Sequence, residues 1–211
     1  MILAAFLLAG APHGTAIDAE HAFAADAQRI GQWSAFRKYA DRDAVIFTPQ
    51  ASWARDFLKG RKDPPRAIRW HPAKSFVSCD GRTAVNTGPW FGVKGHVGGS
   101  FTTVWQKTPA GWRWVYDGGG PLAGSSSRTA LPVVRRAACT GKPTGAPIAP
   151  PPRLTNHKAR TTRIDNGRGE SADGTLGWDW RVDAKGNRRF RLFQWTGHRY
   201  AEVLSRLTRA K

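Results

Sequence analysis

The sequence predicts an α+β fold, and three observations carry that reading. A long amphipathic segment opens the chain, and a pattern of period two takes over from Arg66. The stretch Gly99 to Gly119, GSFTTVWQKTPAGWRWVYDGG, reads as two strands joined by a tight turn. Together they predict a long helix packed on a bent antiparallel sheet, followed by a linker and a small C-terminal β-hairpin extension.

Taken in order, Asp18 to Ala40 is a helix, because Phe23, Ala27, Ile30, Phe36 and Tyr39, with Trp33 between, form one apolar stripe. Asp18 and Glu20 fall in its first turn and Arg37 and Lys38 in its last, the polarity that the helix dipole favours. Gly31 weakens its middle slightly. Asp41-Arg42-Asp43 makes a turn, and Ala44 to Thr48 is a short buried strand ended by Pro49. Gln50 to Lys59 then reads as a second helix, with Trp53, Phe57 and Leu58 on one face and Gly60 as its C-cap.

Past Arg66, Ile68, Trp70, Pro72, Lys74 and Phe76 alternate with their neighbours up to a hairpin turn at Asp80-Gly81. Arg82 to Phe91 returns, Val93 to Gly98 turns again, and Ser100 to Lys107 with Trp112 to Asp117 completes a four-stranded meander. Strict alternation places Trp112, Trp114 and Tyr116 on one face and Arg113, Val115 and Asp117 on the other. Both faces of the sheet carry apolar groups. One is therefore covered, by the helices, and the other curves around something.

The helix around Trp33 to Asp43, the segment through Pro49 and Trp53, Cys79-Asp80-Gly81 and the W-x-W hairpin resemble the SnoaL-like and ketosteroid-isomerase-like members of the nuclear transport factor 2-like superfamily. The resemblance covers residues 18–120, about half of the chain. It implies a cone-shaped domain with a pocket between the long helix and the bent sheet, in a superfamily that holds isomerases, dehydratases and many non-catalytic binding modules. It also implies a homodimer formed through the outer face of the sheet.

Composition divides the chain further. Residues 1–16 carry an apolar run from Ile2 to Leu8 and end in a small-x-small pattern, so they read as a signal peptide, although no basic residue precedes the run. A periplasmic or secreted location follows. The run is far short of the roughly 20 apolar residues that a membrane span needs, and no later segment is a transmembrane candidate. Residues 17–121 form the cone domain, 122–152 a Ser-, Gly- and Pro-rich linker, and 153–211 a basic β extension. In the extension Thr175 to Val182 and Arg188 to Trp195 pair across a Gly-containing turn, His198 to Leu204 adds a third strand, and Asn156 to Ala172 is a polar loop.

The net charge of +18 is concentrated at the C-terminal end, where residues 122–211 hold 18 Lys and Arg against 6 Asp and Glu. Such an excess attracts polyanions without sequence preference, and export makes an anionic envelope surface a better partner than nucleic acid. A solvated basic surface explains the same charge. Cys79 and Cys139 are the only cysteines; they fit one disulfide in an exported protein or two separate buried thiols. Neither has a metal-ligand neighbour, and no phosphate loop, HExxH, nucleophile elbow or EF-hand is present, so no metal or cofactor is predicted.

Ten Trp in 211 residues line either a core or a ligand pocket for a small apolar or amphipathic molecule, with Trp33, Trp53, Trp90, Trp105 and Trp114 as the pocket candidates. Asp117, at the end of the last strand, is the candidate general base if its face is concave, and otherwise caps the Gly-rich turn behind it. Tyr39 is the candidate donor to a developing oxyanion, or the last rung of the apolar stripe. The alternatives are therefore a binding module, an isomerase or dehydratase using Asp117, and an envelope-interaction protein acting through its basic tail.

Overall fold

The computed structural model describes residues 14–48, 50–120, 131–144 and 165–210. The apolar run Ile2 to Leu8, Pro49 and most of the linker, including its proline-rich end, lie outside the described residues. Helix α1 spans Ala16–Ile30 and is started by a capping box: the Thr15 hydroxyl accepts from the Asp18 N–H at 3.2 Å and the Asp18 carboxylate accepts from the Thr15 N–H at 3.0 Å. A boundary after Ala16 would remove that cap.

The single helix expected over 18–40 is two. At Gly31 the chain turns to φ +102°, and α2 (Gln32–Tyr39) begins. The break is held by Asp63, whose carboxylate accepts from the Ser34 N–H at 2.9 Å and the Ser34 hydroxyl at 2.6 Å. A Cβ on residue 31 would lie 2.3 Å from the Asp63 carboxyl carbon. Glycine is required there both by the backbone angle and by that close approach.

Strand β1 (Ala40–Phe47) follows directly. The second helix is shorter than its periodicity suggested, because Ala51–Trp53 forms β2, pairing Trp53 with Val45, and only α3 (Ala54–Leu58) remains helical. The meander is present as β3 (Arg69–Trp70), β4 (Lys74–Val77), β5 (Thr83–Phe91), β6 (Val97–Thr108) and β7 (Gly111–Gly120). Within the stretch read as linker, Val133–Arg136 forms β8 and pairs parallel to β4. The strand order is β2-β1-β7-β6-β5-β4-β8, with β3 on β5 and β1 parallel to β7.

The helices cover one face of this sheet. Phe23, Phe36 and Tyr39 pack there against Trp70, Trp105 and Trp114, edge to face at centroid distances from 4.8 to 6.1 Å, with Trp112 in the same cluster. A helix pair on the concave side of a bent, mostly antiparallel sheet is the α+β cone that the resemblance implies.

A second sheet, β12-β11-β10-β9, is built from β9 (Asn166–Glu170), β10 (Leu176–Val182), β11 (Arg188–Trp195) and β12 (Tyr200–Thr208). It has four strands rather than three, since β9 lies in the run read as a polar loop. Gly167 and Gly169 face Trp180 and Trp178 in register, and the indoles fill the space where Cβ atoms would sit, at 2.7 and 2.2 Å. A strand whose buried face is two glycines has no hydrophobic periodicity to read.

This sheet docks on the outer face of the cone. Leu176, Trp178, Trp180, Phe190 and Leu192 pack on Val45, Phe47, Phe76, Val85, Val104 and Tyr116. The Cys79 N–H donates to the Thr175 hydroxyl at 2.9 Å, the Asp80 N–H to Asp173 at 2.8 Å, and Gln194 to the Arg135 carbonyl at 3.1 Å. Cys79 and Cys139 are joined as a disulfide with their Cα atoms 5.2 Å apart. The outer face, the route by which the resemblance implies dimerisation, is thus occupied by the chain's own second sheet. Among the described residues no helix is long and apolar enough to cross a membrane.

Candidate functional site

The facing of β7 decides what the cone can do, and a β-bulge sets it. Val104 pairs with Tyr116 but the next residue, Trp105, pairs with Trp114, which leaves Val115 as the extra residue. Simple alternation across 112–117 therefore fails. Trp112 and Trp114 face the helices, Tyr116 turns outward against Phe47 and Phe190, and Asp117 returns to the helix-covered face beside Ile46.

Asp117 begins a polar row across that face. In register it continues through Thr103 on β6, Asn86 on β5 and Ser75 on β4. The Thr103 hydroxyl donates to Asp117 Oδ2 at 2.8 Å, and the Asn86 amide donates to the Ala16 carbonyl at 2.9 Å and to Glu20 Oε2 at 3.2 Å. Asn86 Oδ1 and Ser75 Oγ are buried with no hydrogen-bond partner among the described residues, and so is Trp114 Nε1.

Above the row stands Glu20, fully buried on α1. Its oxygens accept from the Trp70 indole at 2.8 Å and the Trp105 indole at 2.6 Å, besides Asn86. Burial pushes its carboxyl up to about 7; the three N–H donors pull the other way, and the negative charge of Asp117 adds to the rise. Glu20 ties α1 to β3, β5 and β6 at one point. Asp117 is itself pushed up to about 6 by burial, against the Thr103 hydrogen bond and the Arg188 charge. As a residue Asp117 is only partly buried, whereas Glu20, Asn86, Thr103 and Ser75 are fully buried.

Tyr39 stands elsewhere. A hydroxyl has one proton to give, and here it goes to Asp26 Oδ2 at 3.1 Å, in a cluster with Arg29 and Lys38. Burial and the Asp26 charge push the phenol up to about 12. Of the expected base and oxyanion donor, Asp117 is thus bonded to Thr103 and Tyr39 to Asp26. The five candidate tryptophans also divide. Trp105 and Trp114 are fully buried in the aromatic cluster, with Trp33 and Trp90 partly buried at its margin, while Trp53 packs on the opposite face of the sheet. Trp33 is wedged between Phe36 and Phe57, and Trp90 lies over Gly98 and Gly99.

Sequence reasoning missed Glu20, Asn86, Thr103 and Ser75. The signal for Glu20 was present, since it shares the apolar stripe with Phe23 and Ala27 at helical spacing, and a charge on a core face is the informative exception. Asn86 likewise interrupts a strand buried along most of its length.

No protein-family model matches the chain, and no curated protein matches it. Among solved structures the chain is similar to a Novosphingobium aromaticivorans protein provisionally named an aromatic ring hydroxylase, at 15% identity and TM-score 0.39 over 54% of this chain and 90% of that one. It is similar also to a Shewanella frigidimarina protein provisionally named a ketosteroid isomerase, at 14% identity and TM-score 0.37 over 51% and 96% of the two chains. A third is the CamKII hub homology domain of Chlamydomonas reinhardtii, at 20% identity and TM-score 0.34 over 50% and 98%. At these identities none of them transfers an activity to this chain.

Proposed function

We propose that the concave face of the cone binds a small amphipathic molecule, with its polar group on the row Ser75, Asn86, Thr103 and Asp117 and its apolar part against the aromatic cluster. The observation that carries this reading is the pair of buried, unpartnered oxygens Asn86 Oδ1 and Ser75 Oγ, in line with the Asp117 carboxyl. Each such atom costs about 1–3 kcal/mol to leave unsatisfied, and a ligand hydroxyl or N–H placed there would remove that cost. Mass spectrometry of small molecules retained by the protein purified from its native host tests the reading. A stoichiometric molecule lost from Ser75→Ala and Asp117→Asn supports it; no retained molecule, or equal retention by both variants, overturns it.

A second reading rests on Asp117 alone. A carboxyl pushed up to about 6 by burial is poised as a general base near neutrality, as proton abstraction by an isomerase or dehydratase requires. Solvent-deuterium exchange into the α-carbon of a panel of ketones, abolished by Asp117→Asn, would favour it over simple binding. Exchange that survives the substitution would remove Asp117 from the chemistry.

The disulfide and the apolar run Ile2 to Leu8 support export to the periplasm or beyond. Because Thr15 caps α1, processing would leave Thr15 in place rather than cut after Ala16. N-terminal sequencing of protein recovered outside the cytoplasm reads the cut, and a chain found only in the cytoplasm would overturn export.

A further inference from the structure

Away from the concave row, a groove of about 490 Å³ lies between the end of α1, the segment 64–69 and the β5–β6 turn. That volume is within the roughly 300–1,000 Å³ of small-molecule sites. Gln28, Gly31, Pro64, Arg66, Arg69 and Val93 are among its lining residues, and none of its lining residues is acidic. Arg66 and Arg69 are exposed, and neither guanidinium has a hydrogen bond or ion pair among the described residues. Asp63, just before this segment, has its carboxylate oxygens turned to Ser34.

The wall that carries the two arginines is held firmly. Ile68, between them, is clamped through both backbone groups, its carbonyl accepting from Gln28 at 2.8 Å and its N–H donating to Gln32 at 3.1 Å. Pro64 and Pro65 stiffen the approach to Arg66. The Arg69 guanidinium reaches over the turn, 3.7 Å from the place a Cβ on Gly95 would take. Apolar surface is supplied by Ala27, Pro64 and Val93, the last about half exposed. The carboxyl end of α1 contributes about half a negative charge, against two full guanidinium charges.

We propose that this groove binds a small organic anion, one phosphate or carboxylate group held between Arg66 and Arg69 and an apolar body lying against Pro64 and Val93. Guanidinium groups form paired, charge-assisted hydrogen bonds to either anion, and a clamped backbone reduces the ordering that binding must supply. The site is separate from the concave row and does not depend on it.

Phenyl phosphate is the test ligand, with inorganic phosphate and phenol as its two halves, followed by calorimetry and by amide shifts at Gln28, Gly31 and Val93. Saturable millimolar or tighter binding of phenyl phosphate, stronger than either half, is expected. Arg66→Gln/Arg69→Gln should weaken it about tenfold or more. The exposed cross-strand pair Arg181 and Arg189 provides the control: Arg181→Gln/Arg189→Gln should leave binding intact. Absence of saturable binding, equal weakening in both double variants, or loss in Asp117→Asn instead would overturn the proposal. The substituted arginines are exposed, so an unchanged melting temperature separates lost binding from lost folding.

Discussion

Replacing Glu20 with Gln gives the most direct test of how the cone is held together. The Glu20 carboxyl stands near 7 in the folded protein and at 4.5 when unperturbed. A carboxyl whose pKa rises on folding holds its proton more tightly in the folded state. Its contribution is full below pH 4.5 and is lost as pH rises through 7, a change of about 3 kcal/mol. Gln cannot ionise, so its stability lacks that slope. At low pH Gln is the poorer residue, because its amide N–H group meets an indole N–H where a carboxyl oxygen accepted, at a cost of about 1–3 kcal/mol. The variant should therefore be less stable than wild type near pH 4.5, with the gap closing by about 3 kcal/mol towards pH 7.5. His71, whose pKa burial lowers and whose slope has the opposite sign, remains in both proteins and cancels in the difference, whereas Asp117, coupled to Glu20, titrates more readily once the Glu20 charge is gone. Urea unfolding followed by tryptophan fluorescence across that range measures it. A gap that stays constant with pH would refute the placing of an ionisable carboxyl among the Trp70, Trp105 and Asn86 donors.

Four further outcomes are expected. Gly31→Ala should cost about 1–3 kcal/mol in denaturant unfolding, since it combines a positive φ with a collision at Asp63; a neutral result would mean that α1 and α2 are continuous. Deleting Val115 removes the bulge and drives either Asp117 or the tryptophans to the wrong face, so the near-ultraviolet circular dichroism of the fold should be lost, while Val115→Ala keeps it. A deletion variant that melts like wild type would refute the bulge. Cys79→Ser/Cys139→Ser opens a loop of 60 residues and should destabilise by up to ~4 kcal/mol in unfolding experiments, with no change expected if the thiols were never joined. A chain ending before residue 165 exposes Phe47, Phe76 and Tyr116 and should self-associate in sedimentation and bind a hydrophobic dye, whereas a monodisperse, dye-silent monomer would refute the docking of the second sheet.

The legible parts of this protein are those that depend on local geometry. Helical spacing from Phe23 to Tyr39, the Asp80-Gly81 turn and the W-x-W hairpin can be read because side-chain direction follows from 3.6-residue and two-residue periods within one segment. The order of those elements was enough to indicate a helix-covered, bent sheet. Partners across space decided the rest. Asp63, some thirty residues away, splits the helix at Gly31, and β1 draws Ala51–Trp53 out of the second helix. β9 is a strand only because Trp178 and Trp180 fill the space above its glycines.

The same division runs through the site. Asp117 could be singled out from sequence as the candidate general base, but its facing could not, because a bulge belongs to the pairing of two strands and leaves no mark on the hydrophobic pattern of either. Glu20 read as a helix-dipole residue until three donors from three strands were seen to converge on it. Sequence by itself determined an α+β chain with a well-marked final hairpin, a basic C-terminal half and one pair of cysteines. Tertiary structure decided which side of that hairpin holds a carboxyl, which tryptophans meet, and that the outer face of the sheet is closed by the chain itself, since each depends on contacts between residues that periodicity cannot connect.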